Sequence, residues 1–241
     1  MSAETGLWAY AITEEGHLSG PDGQVDVTWL TGVGEAAVRT TTSSGMAALV
    51  SDVSLAKFGE TALRENLNDL DWLDEVAREH HYVIDAAARL FPLLPVRLAT
   101  VYSGDDALHA ALAEHGSRLR EALRRVGGRV EWGVKAYAPQ EPDEVHEDRE
   151  PRVAALHVAQ AVHADLTAKA ADTRLHPPQL PQLSGVRPPA LLNAAYLIDA
   201  ADGVNFTAAV AGQATAHPEL RVELTGPWPP YSFAADVDDG H

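Results

Sequence analysis

The sequence predicts an α+β protein of two modules, each an antiparallel sheet with helices on one face, in ferredoxin-like variants. Three observations carry this. Short stretches rich in β-branched and aromatic residues alternate with longer stretches whose apolar residues recur every three or four positions. The segment Phe91 to Ala138 reads as strand, helix and strand in close succession. After an acidic, proline-bearing interruption at Pro139–Glu150, the chain reads helix, strand, helix and strand once more. Residues 1–138 are therefore assigned to an N-terminal module and 139–241 to a C-terminal one, with strand 129–138 able to serve either.

The elements follow in order. Leu7 to Ile12 is a first strand, and Val25, Val27 and Trp29 alternate with Asp26 and Thr28 as a second. Gly32 and Gly34 mark a turn; without a following helix and lysine they do not make a phosphate loop. Ala37–Thr42 and Met46–Val53 form a hairpin joined at Ser43-Ser44-Gly45. A helical region runs from about Glu60 to Leu90, with Leu70, Leu73, Val76, His80, Ile84 and Ala87 on its packing face. Pro92 and Pro95 end it, and the stretch after them to Tyr102 reads as a strand. Ser103 and Asp106 have the spacing of an N-terminal cap for a helix that Gly127-Gly128 closes. Val130, Trp132, Val134 and Ala136 then alternate as a strand. Pro139–Glu150 is a solvated linker, and a helix follows from Pro151 to about Asp172. Leu175 to Pro189 is a long irregular connection. Ala190 to Ile198 is a strand, Asp202 caps a helix, and Leu220 to Leu224 is the last strand. The end, Ala234 to His241, is acidic and reads as disordered.

Composition narrows the function. The net charge of −17 over 241 residues argues against a nucleic-acid surface, which needs clustered Lys and Arg, and against docking on anionic lipid. With no cysteine there is no disulfide, thiolate metal site or cysteine nucleophile. No apolar run approaches the roughly 20 residues that span a bilayer. Met1–Thr5 lacks the basic and apolar regions of a secretion signal, so a cytoplasmic protein is expected.

Candidate chemistry is sparse. Glu79-His80-His81 is tempting for a metal, but adjacent helical residues point about 100° apart. A packing role fits better. His157 and His163 also miss one-turn spacing, and His146 sits alone in the acidic loop. Ser43-Ser44-Gly45 and Ser184-Gly185 lack a nucleophile elbow. No catalytic, metal or cofactor residue is assigned, and the chain reads as a non-enzyme. Two features invite contacts with a partner. Arg97 lies in an apolar stretch just after a proline, where it needs a carboxylate or carbonyl, either its own or a partner's. Three prolines stiffen Leu224–Phe233 and display Trp228, Tyr231 and Phe233, which either anchor a partner or fold back on the chain's own core.

Five stretches together resemble the gas vesicle protein F/L family. They are Trp8-Ala9-Tyr10; Pro92-Leu93-Leu94-Pro95-Val96-Arg97 with Thr100-Val101-Tyr102; Val130-Glu131-Trp132-Gly133-Val134-Lys135; Leu192–Ile198; and Leu224–Phe233. They span nearly the whole chain in the expected order. The family usually shows Phe-Gly where this chain has Leu98-Ala99. The resemblance implies a cytoplasmic accessory or minor structural protein of gas vesicle formation. Its implied partners are the hydrophobic major shell protein and other accessory proteins, with no nucleic acid, no membrane and no cofactor. A small-molecule-binding regulatory protein using a groove between the modules is the alternative.

Overall fold

A computed structural model describes residues 4–20, 23–66, 68–138, 149–177 and 190–234. They fall into two compact units. Unit 1 runs to Gly127 and takes the chain back from Pro229; unit 2 is Gly128–Trp228. Unit 2 thus takes in strand 129–138, which the sequence left open to either module and which is central to the second sheet.

Unit 1 is built on β1 (Thr5–Glu14), with β2 (Val38–Ser43) and β3 (Met46–Ser54) beside it. Two short strands, β4 (Leu94–Pro95) and β5 (Val101–Tyr102), also pair with β1. The order is β2-β3-β1-β4, all antiparallel. The β2–β3 hairpin turns at Ser44 and Gly45, whose φ values of 56° and 76° suit the twist of the flanking strands. The single strand expected after Pro95 is interrupted: between β4 and β5 the chain bends out through Ala99, at φ 65°. Val96 N–H still donates to Tyr10 O, and Ala9 N–H to Thr100 O, so the backbone of β1 stays paired across the excursion.

Helices α1 (Leu55–Phe58), α2 (Glu60–Asn66) and α3 (Leu70–Ala88) follow β3, and α4 (Asp105–Val126) follows β5. Asp69 caps α3 by accepting from Asp71 and Trp72 N–H. Ser103 does not cap α4; Gly104 holds that position without a side-chain bond. Asp105 turns to Arg39 on β2 instead. Val76, Val83, Ile84 and Ala87 of α3 share one core with Trp8, Tyr10 and Leu49. α4 lies against the opposite face, where Arg39 and Thr41 of β2 meet Asp105 and His109. Unit 1 therefore keeps the expected class but covers its sheet on both faces. The second strand expected at Val25–Trp29 is a loop. Asp26 Oδ1 accepts from both Thr28 N–H and Thr28 Oγ1, which bends the chain.

Unit 2 contains β6 (Arg129–Tyr137), α5 (Arg149–Thr167), β7 (Asp172–Leu175), β8 (Leu192–Asp199), α6 (Gly203–Ala216) and β9 (Arg221–Trp228). The order β9-β6-β8-β7, with every pair antiparallel, is the ferredoxin-like arrangement. The helices share one face. Trp132, Val134, Ala136, Ala194, Tyr196 and Ile198 meet Ala155, Ala159, Val162, Leu166, Phe206 and Val210 in one core. Strand β7 replaces the end of the expected helix, which stops at Thr167. Asp202 precedes α6 but caps none of its N–H groups; it accepts from Asn205 Nδ2 at 3.3 Å. Residues 139–148 of the linker expected at 139–150, most of the irregular connection (178–189) and residues 235–241 of the acidic end lie outside the described residues; 149 and 150 already belong to α5, and Ala234 ends a short helix.

Candidate functional site

The four residues singled out for partner contact land in different settings. Arg97 is exposed in the excursion between β4 and β5, not in a strand, and its carbonyl accepts from Thr100 N–H and Oγ1. Trp228 ends β9 and is 42% exposed. Its placement depends on Gly226, at φ 116°, where a Cβ would come within 2.8 Å of Glu131 O. That close approach sets the slip in register between Thr225 and Trp228 and brings Trp228 opposite Glu131.

Tyr231 and Phe233 belong to α7 (Tyr231–Ala234), which packs in unit 1 against β4 and α4. The Tyr231 hydroxyl lies 2.9 Å from His81 Nδ1, and the two rings are 5.9 Å apart. Phe233 is fully buried, and its carbonyl accepts from Arg125 Nη2 at 2.7 Å. Phe233 thus holds the segment to its own unit. Of the two readings the sequence left open for these aromatics, burial favours the fold-back for Phe233, while Trp228 keeps an accessible face.

The Glu79-His80-His81 trio separates in three directions. Glu79 Oε2 accepts from Gly34 N–H, His81 meets Tyr231, and His80 points into the core. Trp8 Nε1 donates to His80 Nδ1 at 2.9 Å. The proton of neutral His80 is therefore on Nε2, which donates to Val96 O at 3.1 Å. Burial holds His80 neutral, with its pKa lowered to about 4; the neighbouring His81 works in the same direction. Tyr10 accepts from Val33 N–H and shares a 2.6 Å bond with Ser51, and burial raises its pKa. In unit 2, Tyr196 OH lies 2.7 Å from His163 Nδ1; burial raises the tyrosine and lowers the histidine. On the surface Arg39 bridges Asp52 and Asp105 and holds the Asp105 carboxyl below its usual range. Among the described residues no three His, Asp or Glu side chains are grouped to hold a metal ion.

The sequence reading missed the Trp8–His80–Val96 bridge. Its one sequence signal was His80 standing on an apolar helical face. Nothing in the spacing named Trp8, seventy-two positions away, as its partner.

Taken together, this is a two-unit antiparallel α+β scaffold in which the buried His80, Tyr10 and Tyr196 are engaged with neighbouring groups of their own unit. No described helix is long and apolar enough to cross a membrane. The family model for gas vesicle synthesis protein GvpL/GvpF matches residues 6–157 and 145–235, and the chain belongs to that family. Membership places it among gas vesicle accessory proteins. The chain is 35% identical over 266 residues to gas vesicle protein L of Streptomyces sp. (strain CB03234), covering 99% of this chain and 96% of that protein. It is 24% identical over 230 residues to gas vesicle protein F1 of Halobacterium salinarum, covering 94% and 92%. The crystal structure of GvpF from Anabaena sp. PCC7120 matches with a TM-score of 0.71 at 20% identity, over 95% of this chain and 96% of that one. GvpF from Microcystis aeruginosa matches with a TM-score of 0.67 at 18% identity, over 95% and 98%. Both structures show the fold.

Proposed function

We propose that this protein binds the hydrophobic major shell protein, and other accessory proteins, in the cytoplasm while gas vesicles are being built, and that it works by contact without bond-making chemistry. The observation that carries the reading is the family match, which extends over nearly the whole chain in both units. The physical need is plain. A shell subunit with a water-repelling face and open strand edges aggregates when left alone. A carrier with a net charge of −17 keeps such a complex dispersed by repulsion. Trp228 offers a rigid, part-exposed aromatic anchor, and Arg97 an exposed residue whose positive charge suits an acidic partner surface. Tyr231 is the third candidate, half-buried beside His81.

The test is cross-linking with mass spectrometry in cells making vesicles, alongside pull-down with the major shell protein. Cross-links from the neighbourhoods of Trp228 and Arg97 to the shell protein are expected. No association, together with normal vesicles in a deletion strain, rejects the reading.

A further inference from the structure

Residues 229–234 follow directly on unit 2 in sequence but belong to unit 1 in space. Between Gly127 and Pro229 the chain leaves unit 1 and builds all of unit 2 before it returns. The returning piece adds no strand to unit 1's sheet. It is held as a short peptide ligand is held, by side-chain anchors and one captured backbone group. Phe233 is the buried anchor. The Tyr231 ring stacks beside His81 on α3 with its hydroxyl 2.9 Å from Nδ1. Arg125 on α4 captures the Phe233 carbonyl at 2.7 Å. β4 forms a further wall. Pro229 and Pro230 stiffen the approach, so little freedom is lost when the aromatics seat.

We infer that this groove of unit 1 recognises the segment Pro-Pro-Tyr-Ser-Phe-Ala, and that a second copy of this chain can supply it. These contacts are non-covalent, so the same ones form whichever chain lends the segment. The occupant is present at the same concentration as the groove in any sample of the protein. One crossing between the units is Gly127-Gly128, with Gly128 at φ 72°, a glycine pair able to absorb a change of direction. At low concentration the tethered segment of the same chain wins by proximity; where copies are crowded, a neighbour's segment competes. Reciprocal exchange would then link copies two by two. This does not rest on binding of the shell protein, and the two ideas fail separately.

The test uses the full chain with photoreactive benzoylphenylalanine in place of Tyr231, mixed with an excess of full-length protein carrying a larger tag. After incubation over a range of concentrations, irradiation should give covalent heterodimers. Their attachment sites should map to α3 or α4 of the tagged copy, and their yield should rise with concentration. Adding Phe233→Ala to the photoreactive chain should lower the yield by about tenfold or more. Circular dichroism checks that this variant folds. If it does not, Arg125→Gln in the tagged copy, which leaves the donor segment intact, should lower the yield in its place. Attachment confined to the same chain at every concentration overturns the inference. So does attachment to the tagged copy away from α3 and α4, or a yield that ignores the substitutions.

Discussion

Units 1 and 2 bury their central strands differently, and the difference is written in their side chains. In unit 1, β1 is buried over eight consecutive residues, Gly6 to Thr13, because α3 lies on one face of the sheet and α4 on the other. Its sequence, Leu-Trp-Ala-Tyr-Ala-Ile, is accordingly apolar without alternation. In unit 2, β6 sends Trp132, Val134 and Ala136 to the helices and Glu131, Gly133 and Lys135 to the other side. A continuous apolar strand signals cover on two sides, and an alternating one signals helices on a single face. The two buried indoles differ as well. Unit 1 buries a bridge in which Trp8 and Val96 satisfy both nitrogens of His80. Unit 2 leaves Trp132 Nε1 buried with no hydrogen-bond partner among the described residues.

Substitutions at these positions can break or sharpen the comparison. The largest effect is expected from Trp8→Ala, which empties the two-sided core and strands His80; it should cost about 3–5 kcal/mol in urea unfolding. Hydrogen exchange should show the loss of protection concentrated in unit 1, and equal loss in both units would break the contrast.

Acid comes next. His80 titrates near 6.5 when unfolded and about 4 when folded. Above pH 6.5 both states are neutral and stability is unaffected by this group. Between the two values only the unfolded state takes up the proton, so stability falls as the pH falls and levels off below about 4. The loss amounts to about 3 kcal/mol across that window. Comparing wild type with His80→Gln isolates it: the variant's stability should fall less steeply from pH 6.5 to 4. Parallel curves would show that His80 does not carry the acid sensitivity of unit 1.

A milder pair sharpens the contrast in polar satisfaction. Trp8→Phe leaves His80 Nδ1 unpaired in the core and should cost about 2–3 kcal/mol. Trp132→Phe removes a donor that has no partner and should cost about 1 kcal/mol or less. Equal costs would mean that the hydrogen-bond bridge adds nothing beyond packing.

The smallest effect on stability is expected at Trp228→Ala, about 0.5 kcal/mol or less by thermal unfolding, because the residue ends its strand and is 42% exposed. Its effect on shell-protein binding should be far larger, on the order of 2 kcal/mol, if the indole is a contact anchor. Unchanged affinity would remove it from the contact surface.

Much of this architecture was legible. The hairpin at Ser44-Gly45, helices α3 to α6 and strands β6, β8 and β9 stand within a few residues of where periodicity placed them. The local failures have local causes. A side chain caught the backbone at Asp26, and a left-handed Ala99 broke the strand after Pro95. β7 is only four residues long, too short to announce itself beside a helix. The candidate site was legible in part. The aromatic segment could be picked out, but not which of its rings would be buried.

From the sequence alone came the class of the fold, the family resemblance, the acidic charge and the absence of cysteine, because each is fixed by residue type, local spacing or ordered motifs. Tertiary structure alone decided that Trp8 pairs with His80 and that residues 229–234 close unit 1 after unit 2 is complete. It also decided that Arg97 faces solvent. The reason is physical. Periodicity reports which side of an element turns inward, but the partner it meets there comes from distant parts of the chain, and only packing brings them together.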